Sequence, residues 1–374
     1  MDNTTKAFIG LDVHKETISL AVAEADGKKD LYFFGTIPND KVIIKKKLEE
    51  LKKRYSSIEM VYEAGPCGYG LQRFLSKEHY ICHITPPSTI PDIKSNHIKN
   101  DHRDSKNLAR LLRMGELVHI WIPDETHEAI RELVRVRHAA RKDVKKAKQR
   151  VQSFLLKYER DYSGKAWTNQ HRVWLRNQSF DHIALQISFQ TYLNSLEQIE
   201  ERIKQIEEQM KVLCENWKLK EAVKALQALK GVGFIIAISI VAEIGDPARF
   251  PHPKNLIAFL GLIPGEHSSG SKTISKGITK TGSIELRSLL YEAAWNYTKT
   301  PKVGQFMKLH VPEETPQFAK DISWKAQLRL NRRYKKLVSR GKKSQVAITA
   351  VSRELVGFIW SICTQVSLTK PIAA

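Results

Sequence analysis

Ten apolar residues from Leu185 to Trp217 fix one element of this fold before anything else is considered. Leu185, Phe189, Tyr192, Leu196, Ile199, Ile203, Ile206, Met210, Leu213 and Trp217 follow one another at alternating steps of four and three. A strand repeats every second residue, so only a helix places all of them on one side. A mean step of 3.5 sustained over more than four heptads is the seam of a coiled coil. The plainer reading of the same pattern is one long amphipathic helix packed on its own domain. Either way the rod is about 50 Å long at 1.5 Å per residue, too long to sit inside one small core. A seam that pairs between chains makes the protein at least a dimer.

The 374 residues suffice for two or three domains. Before the rod, residues 7–13, 17–23 and 31–35 read as strands, with the turn signal Asp26-Gly27 between the second and third. A helix over 42–54, a strand over 59–63, a helix over 69–77 and a strand over 80–85 follow. This is an α/β order, and the ribonuclease H-like fold has it. Residues 130–158 are helical and strongly basic, with nine Lys/Arg against two Asp/Glu between Arg131 and Arg150. From Leu226 the chain reads as mainly helical. Leu229–Gly233 is a glycine turn into a helix over 234–244, a hairpin type that offers backbone N–H groups to phosphate. Residues 264–282 are rich in glycine, serine and lysine and read, on their own, as a flexible linker. A second basic helical run, 320–343, holds ten Lys/Arg and one Asp.

Lys and Arg outnumber Asp and Glu by 61 to 40, a net charge of +21. Such an excess repels itself in a compact state and is matched by a polyanionic partner, nucleic acid before an anionic membrane. No uninterrupted apolar run approaches the roughly 18 residues of a membrane span, and the N-terminus does not read as a signal peptide. Cys67, Cys82, Cys214 and Cys363 are scattered without metal-ligand spacing and read as reduced thiols of a cytoplasmic protein.

Four carboxylates stand out. Asp12 and Glu63 end the first and fourth strands, which are neighbours in a ribonuclease H-like sheet. Asp101 and Asp104 lie three apart at a helix start, on one face. Helix-dipole partners explain such a pair equally well. Four carboxylates in one place do not all stay ionised unaided. Two Mg²⁺ ions, or Mn²⁺, neutralise them and clamp the attacking and leaving oxygens of a phosphodiester.

The stretches Phe-Ile-Gly-Leu-Asp12-Val-His-Lys, Tyr-Glu63-Ala-Gly-Pro-Cys-Gly-Tyr and Lys-Asn-Asp101-His-Arg-Asp104-Ser-Lys-Asn-Leu-Ala-Arg carry a resemblance. So do Leu-Lys-Gly-Val-Gly, Ala-Glu-Ile-Gly-Asp-Pro-Ala-Arg-Phe, Ala-Phe-Leu-Gly-Leu-Ile-Pro-Gly-Glu-His-Ser-Ser-Gly and Gly-Ile-Thr-Lys-Thr-Gly-Ser-Ile-Glu-Leu-Arg. Together they resemble the DEDD transposases of the insertion sequence 110 family, including its 1111 group. The likeness spans nearly all of the chain except residues 157–185 and the last thirty or so.

The resemblance implies a RuvC-like domain over 1–155, a coiled-coil segment over 156–225 and a C-terminal transposase domain over 226–374. It implies Asp12, Glu63, Asp101 and Asp104 as metal ligands, and a serine nucleophile directly before a glycine, here Ser269-Gly270, with Ser268 as its rival. It also implies double-stranded donor and target DNA, a structured bridge RNA that pairs with both, and a dimer, or a tetramer when the DNA partners are brought together. A phosphoserine link conserves the phosphodiester, whereas water in place of serine gives the plain cut of a Holliday-junction or RNase H-type nuclease. His267 is a candidate base, and Lys272, Lys276, Lys280 and Arg287 either hold phosphates or form a solvated basic face. A non-catalytic RNA- or DNA-binding scaffold is the remaining alternative.

Overall fold

In the computed structural model the chain forms two compact units, Met1–Ile122 and Pro123–Ala374, and the structure describes residues 5–25, 31–91, 100–269 and 272–368. The first unit contains β1 (Lys6–Val13), β2 (Thr17–Glu24), β3 (Tyr32–Pro38), α1 (Lys41–Lys52), β4 (Ser57–Glu63), α2 (Gly70–Lys77), β5 (Ile81–Thr85) and α3 (Asp101–Met114). The sheet order is β3-β2-β1-β4-β5. The first three strands are antiparallel neighbours, while β4 runs parallel to β1 and β5 parallel to β4. Parallel returns need crossovers, which α1 and α2 supply.

Strand parity divides this unit into two faces. Ala7, Ile9 and Leu11 of β1, Ile18, Leu20 and Val22 of β2, and Ile58, Met60 and Tyr62 of β4 point one way, and Ile44, Leu48 and Leu51 of α1 close over them. Residues of the opposite parity meet α3: Val61 packs with Leu108, Leu111 and Leu112, and Ala21 and Ala23 pack with Ala109. Gly10 lets α3 come close. A Cβ there lies 2.0 Å from the Ser105 carbonyl oxygen and 2.5 Å from the Ala109 nitrogen. Main-chain atoms cannot turn aside as a side chain can. Gly10→Ala is therefore expected to destabilise the unit by about 3 kcal/mol, read as a lower urea midpoint; an unchanged midpoint means that α3 does not press on β1.

The second unit contains α4 (Glu125–Lys157), α5 (Asn169–Arg176), α6 (Ile183–Glu215), α7 (Lys220–Leu226), α8 (Phe234–Ile244), α9 (Pro253–Phe259), β6 (Pro264–Ser269), β7 (Lys272–Ile278), α10 (Ile284–Ala294), α11 (Gln305–His310), α12 (Gln317–Ser339) and α13 (Ser344–Leu368). The remainder of the chain beyond the sheet is thus mainly helical. The long rod is α6, and α4 lies antiparallel against it. Val151 and Leu155 pack near Phe189 and Leu193, Ala140, Val144 and Ala147 near Leu196 and Ile203, and Ile130 and Val134 near Met210, Cys214 and Trp217. Arg137 and Glu207 tie the pair at 2.7 Å.

The heptad seam therefore splits. Phe189, Leu196, Ile203, Met210 and Trp217 are buried within the chain, while Tyr192 and Leu213 remain 37% and 48% exposed.

A larger core surrounds α13, whose Ile348, Val351, Leu355, Ile359 and Ile362 are buried. Ser344–Ser367 is the one helix among the described residues long and apolar enough to cross a membrane, and half of its most apolar window is buried inside the protein. Its apolar residues form no uninterrupted run, because Ser, Thr and Gln and the charged pair Arg353-Glu354 are interspersed. A helix apolar on nearly all sides is also what the centre of a helical core requires.

The segment read as a flexible linker is a two-stranded antiparallel ribbon. Glu266 pairs with Ser275, His267 with Ile274, Ser268 with Thr273, and Ser269 with Lys272. Gly270 and Ser271, between the strands, lie outside the described residues. The stem of the ribbon is pinned by Thr279 N–H on the Ile263 carbonyl at 2.9 Å and Lys280 N–H on the Gly261 carbonyl at 3.0 Å.

Candidate metal centre and nucleic-acid surface

Parity and the Gly10 contact together build an acidic site. Asp12 is two residues beyond Gly10, so it emerges on the face covered by α3. Ser105, over Gly10, lies one helical turn after Asp101, so the first turn of α3 reaches the end of β1. The same parity puts Glu63 on this face. Leu11 is paired with Tyr62, so Asp12 and Glu63, each the next residue, leave the sheet at one end. Asn100 caps α3, its side-chain oxygen accepting from the Arg103 N–H at 2.9 Å. Neither aspartate is needed as the cap, and both lie in the first turn, where their charges also face the helix dipole.

His14 joins them. Its Nε2 lies 3.4 Å from an Asp12 carboxylate oxygen and 3.6 Å from one of Asp101. One ligand atom from each of Asp12, His14 and Asp101 falls within 4.8 Å of the others. Burial raises the Asp12 carboxyl above its ordinary range, His14 opposes this, and the charges of Asp101 and Asp104 add to it. Asp104 is thus within electrostatic reach. Glu63 is exposed at the adjacent strand end and is not in the tight group. Carboxylate oxygens with one imidazole nitrogen, carrying more negative charge than one histidine balances, fit a divalent cation. His14 lies just beyond the end of β1, where a lone histidine carries no periodic signal in the sequence.

Ser269 ends β6 beside the tip of the ribbon, in the second unit. Ser268 and His267 precede it in β6, and Lys272 and Lys276 lie in β7. Arg287 of α10 donates to the carbonyls of Leu260 (3.3 Å) and Thr281, so it braces the base of the ribbon.

The basic runs form surfaces. On α4, Arg135, Arg137, Lys142 and Lys148 pair with Glu243, Glu207, Glu285 and Glu200. Arg141, Lys145, Lys146 and Arg150 are exposed and have no acidic partner among the described residues. A groove of about 840 Å³ runs along this face, lined by Arg141, Lys145, Lys148 and Trp167 and by Ile235 and Ile236 of α8. Gly233 heads α8 without a side-chain cap, so the first-turn N–H groups of that helix adjoin the groove. On α12, Lys320, Lys325, Arg332, Lys335 and Lys336 are likewise exposed.

A family model described as "Transposase IS116/IS110/IS902 family" matches residues 223–308. A second, DEDD_Tnp_IS110, described as "Transposase", matches residues 9–159. A protein of Sinorhizobium fredii that carries a transposase name, y4qE, is 40% identical over 97% of this chain and 90% of its own length. The transposase for insertion sequence element IS1533 of Leptospira borgpetersenii is 30% identical over 90% of this chain and 98% of its own. That for IS1111A of Coxiella burnetii is 27% identical over 56% of this chain and 57% of its own.

Proposed function

The chain belongs to the DEDD transposases of the IS116/IS110/IS902 family, and from that premise we propose that it cuts and rejoins donor and target DNA through a phosphoserine link. The observation that carries this reading is the convergence of Asp12, His14 and Asp101 where the strand end bearing Glu63 and the helix turn bearing Asp104 also arrive. In this reading the first unit is a RuvC-like domain in which Asp12, Glu63, Asp101 and Asp104 hold Mg²⁺, two ions at full loading, with Mn²⁺ as a substitute. The cation supplies Lewis-acid stabilisation of charge on the phosphodiester.

The chain's own nucleophile is Ser269. Its Oγ bonds to phosphorus, and the bond from phosphorus to one deoxyribose oxygen breaks. The hydroxyl proton ends on that leaving oxygen. One phosphodiester replaces another, so resealing needs no ATP. His14 holds the Asp12 and Asp101 carboxylates in register.

The uncompensated cations of α4 and α12 give the DNA its phosphate contacts, and a structured bridge RNA is the second polyanion. The exposed line of the split α6 seam, Tyr192 and Leu213 with half-buried Ile199 and Ile206 between them, pairs with a second copy as a coiled coil. The dimer becomes a tetramer when donor and target are joined.

The test is a reaction of the full chain with DNA carrying the element's ends and Mg²⁺, stopped with denaturant. DNA covalently attached to protein is the expected product, and free cut ends alone make the protein a nuclease. Binding has its own readout. With six or so phosphates neutralised, log K against log salt falls with a slope of about −5, and a slope near zero removes the basic helices from the interface.

A further inference from the structure

A cleft of about 400 Å³ in the second unit holds none of the reacting groups of the strand-transfer reading. Val303, Met307, Val311 and Trp324 give it apolar walls, and its charged lining is Lys308 and Lys320 with one carboxylate, Glu313. Its volume lies in the range that holds a small organic ligand. Trp324 is 43% exposed although it lies on a helix whose opposite side is core. Gln327, also in the lining, is 2% exposed. The Gln327 Oε1 accepts from the Lys302 N–H at 3.1 Å, but its Nε2 reaches only the Met307 sulfur, at 3.9 Å. A thioether is a weak acceptor, so a buried amide donor in the cleft lacks a strong partner among the described residues.

A patch of unmatched positive charge adjoins the cleft through Lys302. Lys230, Lys299 and Lys302 have no acidic partner among the described residues, and Lys230 Nζ donates to the Thr300 carbonyl at 3.3 Å. Burial, reinforced by Lys299 and Lys302, pushes the Lys230 ammonium below its usual range. Three crowded cations beside an aromatic, amide-bearing cleft match a flat ring with acceptors on its edge, carried on a phosphate chain. An apolar peptide side chain fills the walls but leaves both the amide and the lysines unanswered.

We infer that this cleft takes one unpaired base of a DNA strand, stacked on Trp324, with its edge on the Gln327 amide and its flanking phosphates on Lys230, Lys299 and Lys302. The assignment rests on the reading that the chain handles DNA. Stacking on an aromatic side chain tolerates any base, so the site selects for an unpaired base and not for sequence.

The experiment measures binding of the full chain to two DNA duplexes, one fully paired and one with a single bulged 2-aminopurine, and to an RNA duplex with the same bulge. The wild type is expected to prefer the bulged DNA by about 10- to 100-fold and to quench the 2-aminopurine. Trp324→Ala brings the two DNA affinities to within about twofold, and Trp324→Phe keeps most of the preference because it keeps a ring. Trp324 is partly exposed, so these variants leave the core packed. Equal affinity of the wild type for both DNA duplexes overturns the cleft assignment and leaves the DNA reading standing, as does a preference that survives in Trp324→Ala. Tighter binding of bulged RNA than of bulged DNA overturns the choice of DNA. Failure to bind either DNA duplex overturns the DNA reading itself.

Discussion

Ser269→Ala is expected to abolish both the covalent protein–DNA adduct and strand exchange, by at least about 10⁴-fold in rate, the scale on which loss of a nucleophile is felt. Ser268→Ala keeps a substantial part of both. Ser269 is the last residue of β6, paired with Lys272 across the ribbon, and it directly precedes Gly270. A residue without a side chain next to the nucleophile lets a DNA backbone approach. A proteolytic digest of the trapped adduct is expected to map the DNA to the peptide containing Ser269. If Ser269→Ala still cuts DNA, water is the attacker. If Ser268→Ala alone is dead, the mechanism holds and the nucleophile is one residue earlier.

Removing a carboxylate from the acidic site has the second-largest expected effect. Asp101→Ala and Asp12→Asn are each expected to lower the cleavage rate by about 10³-fold or more, because losing several kcal/mol of charge stabilisation costs a factor of ten per 1.36 kcal/mol. DNA affinity should change by less than about twofold, since the exposed cations of α4 and α12 proposed to hold phosphates lie in another unit. Unfolding must be separated from loss of chemistry, and the geometry gives the control. Asp12 is partly buried and faces the charges of Asp101 and Asp104. Asp12→Asn therefore relieves repulsion in the metal-free protein and leaves its denaturation midpoint unchanged or higher. The stabilisation that Mg²⁺ gives the wild type is expected to vanish in the same variant. Full cleavage activity in Asp101→Ala removes the site.

Much of this was written in the sequence as period. An apolar run marked β1 and alternation marked β2, and the parity that buries Ile9 and Leu11 against α1 also sends Asp12 toward α3. The steps of four and three gave α6 almost to its ends, but could not say which helix it meets. Half of the seam belongs to α4, whose sequence looks chiefly basic because its apolar residues, Ala140, Val144 and Ala147 among them, are small and spaced among lysines.

The ribbon was illegible for a related reason. A two-stranded ribbon has little apolar face of its own, and this one is held at the stem by main-chain bonds from Thr279 and Lys280. Such bonds leave no trace in residue type. α4 starts at Glu125, earlier than its apolar period indicates, because Asp124 accepts from the His127 N–H at 2.7 Å and caps it there. His14 went unnoticed because a single histidine near a turn has no periodicity to betray it.

The contact at Gly10 has a consequence for how freely this protein can change. Because α3 rests on β1 through the main-chain atoms of Ser105 and Ala109, the height of the helix above the sheet does not depend on which large side chains happen to fill the gap. On the outer face of α3, Arg110 bonds to Asn107 and Met114 of the same helix, and Lys106 and Asn107 are partly open to solvent. They are free to drift or to be redesigned without moving Asp101 and Asp104. An engineer seeking new DNA contacts on this surface has a mutable outer face, and one inner position, Gly10, that tolerates nothing larger than hydrogen.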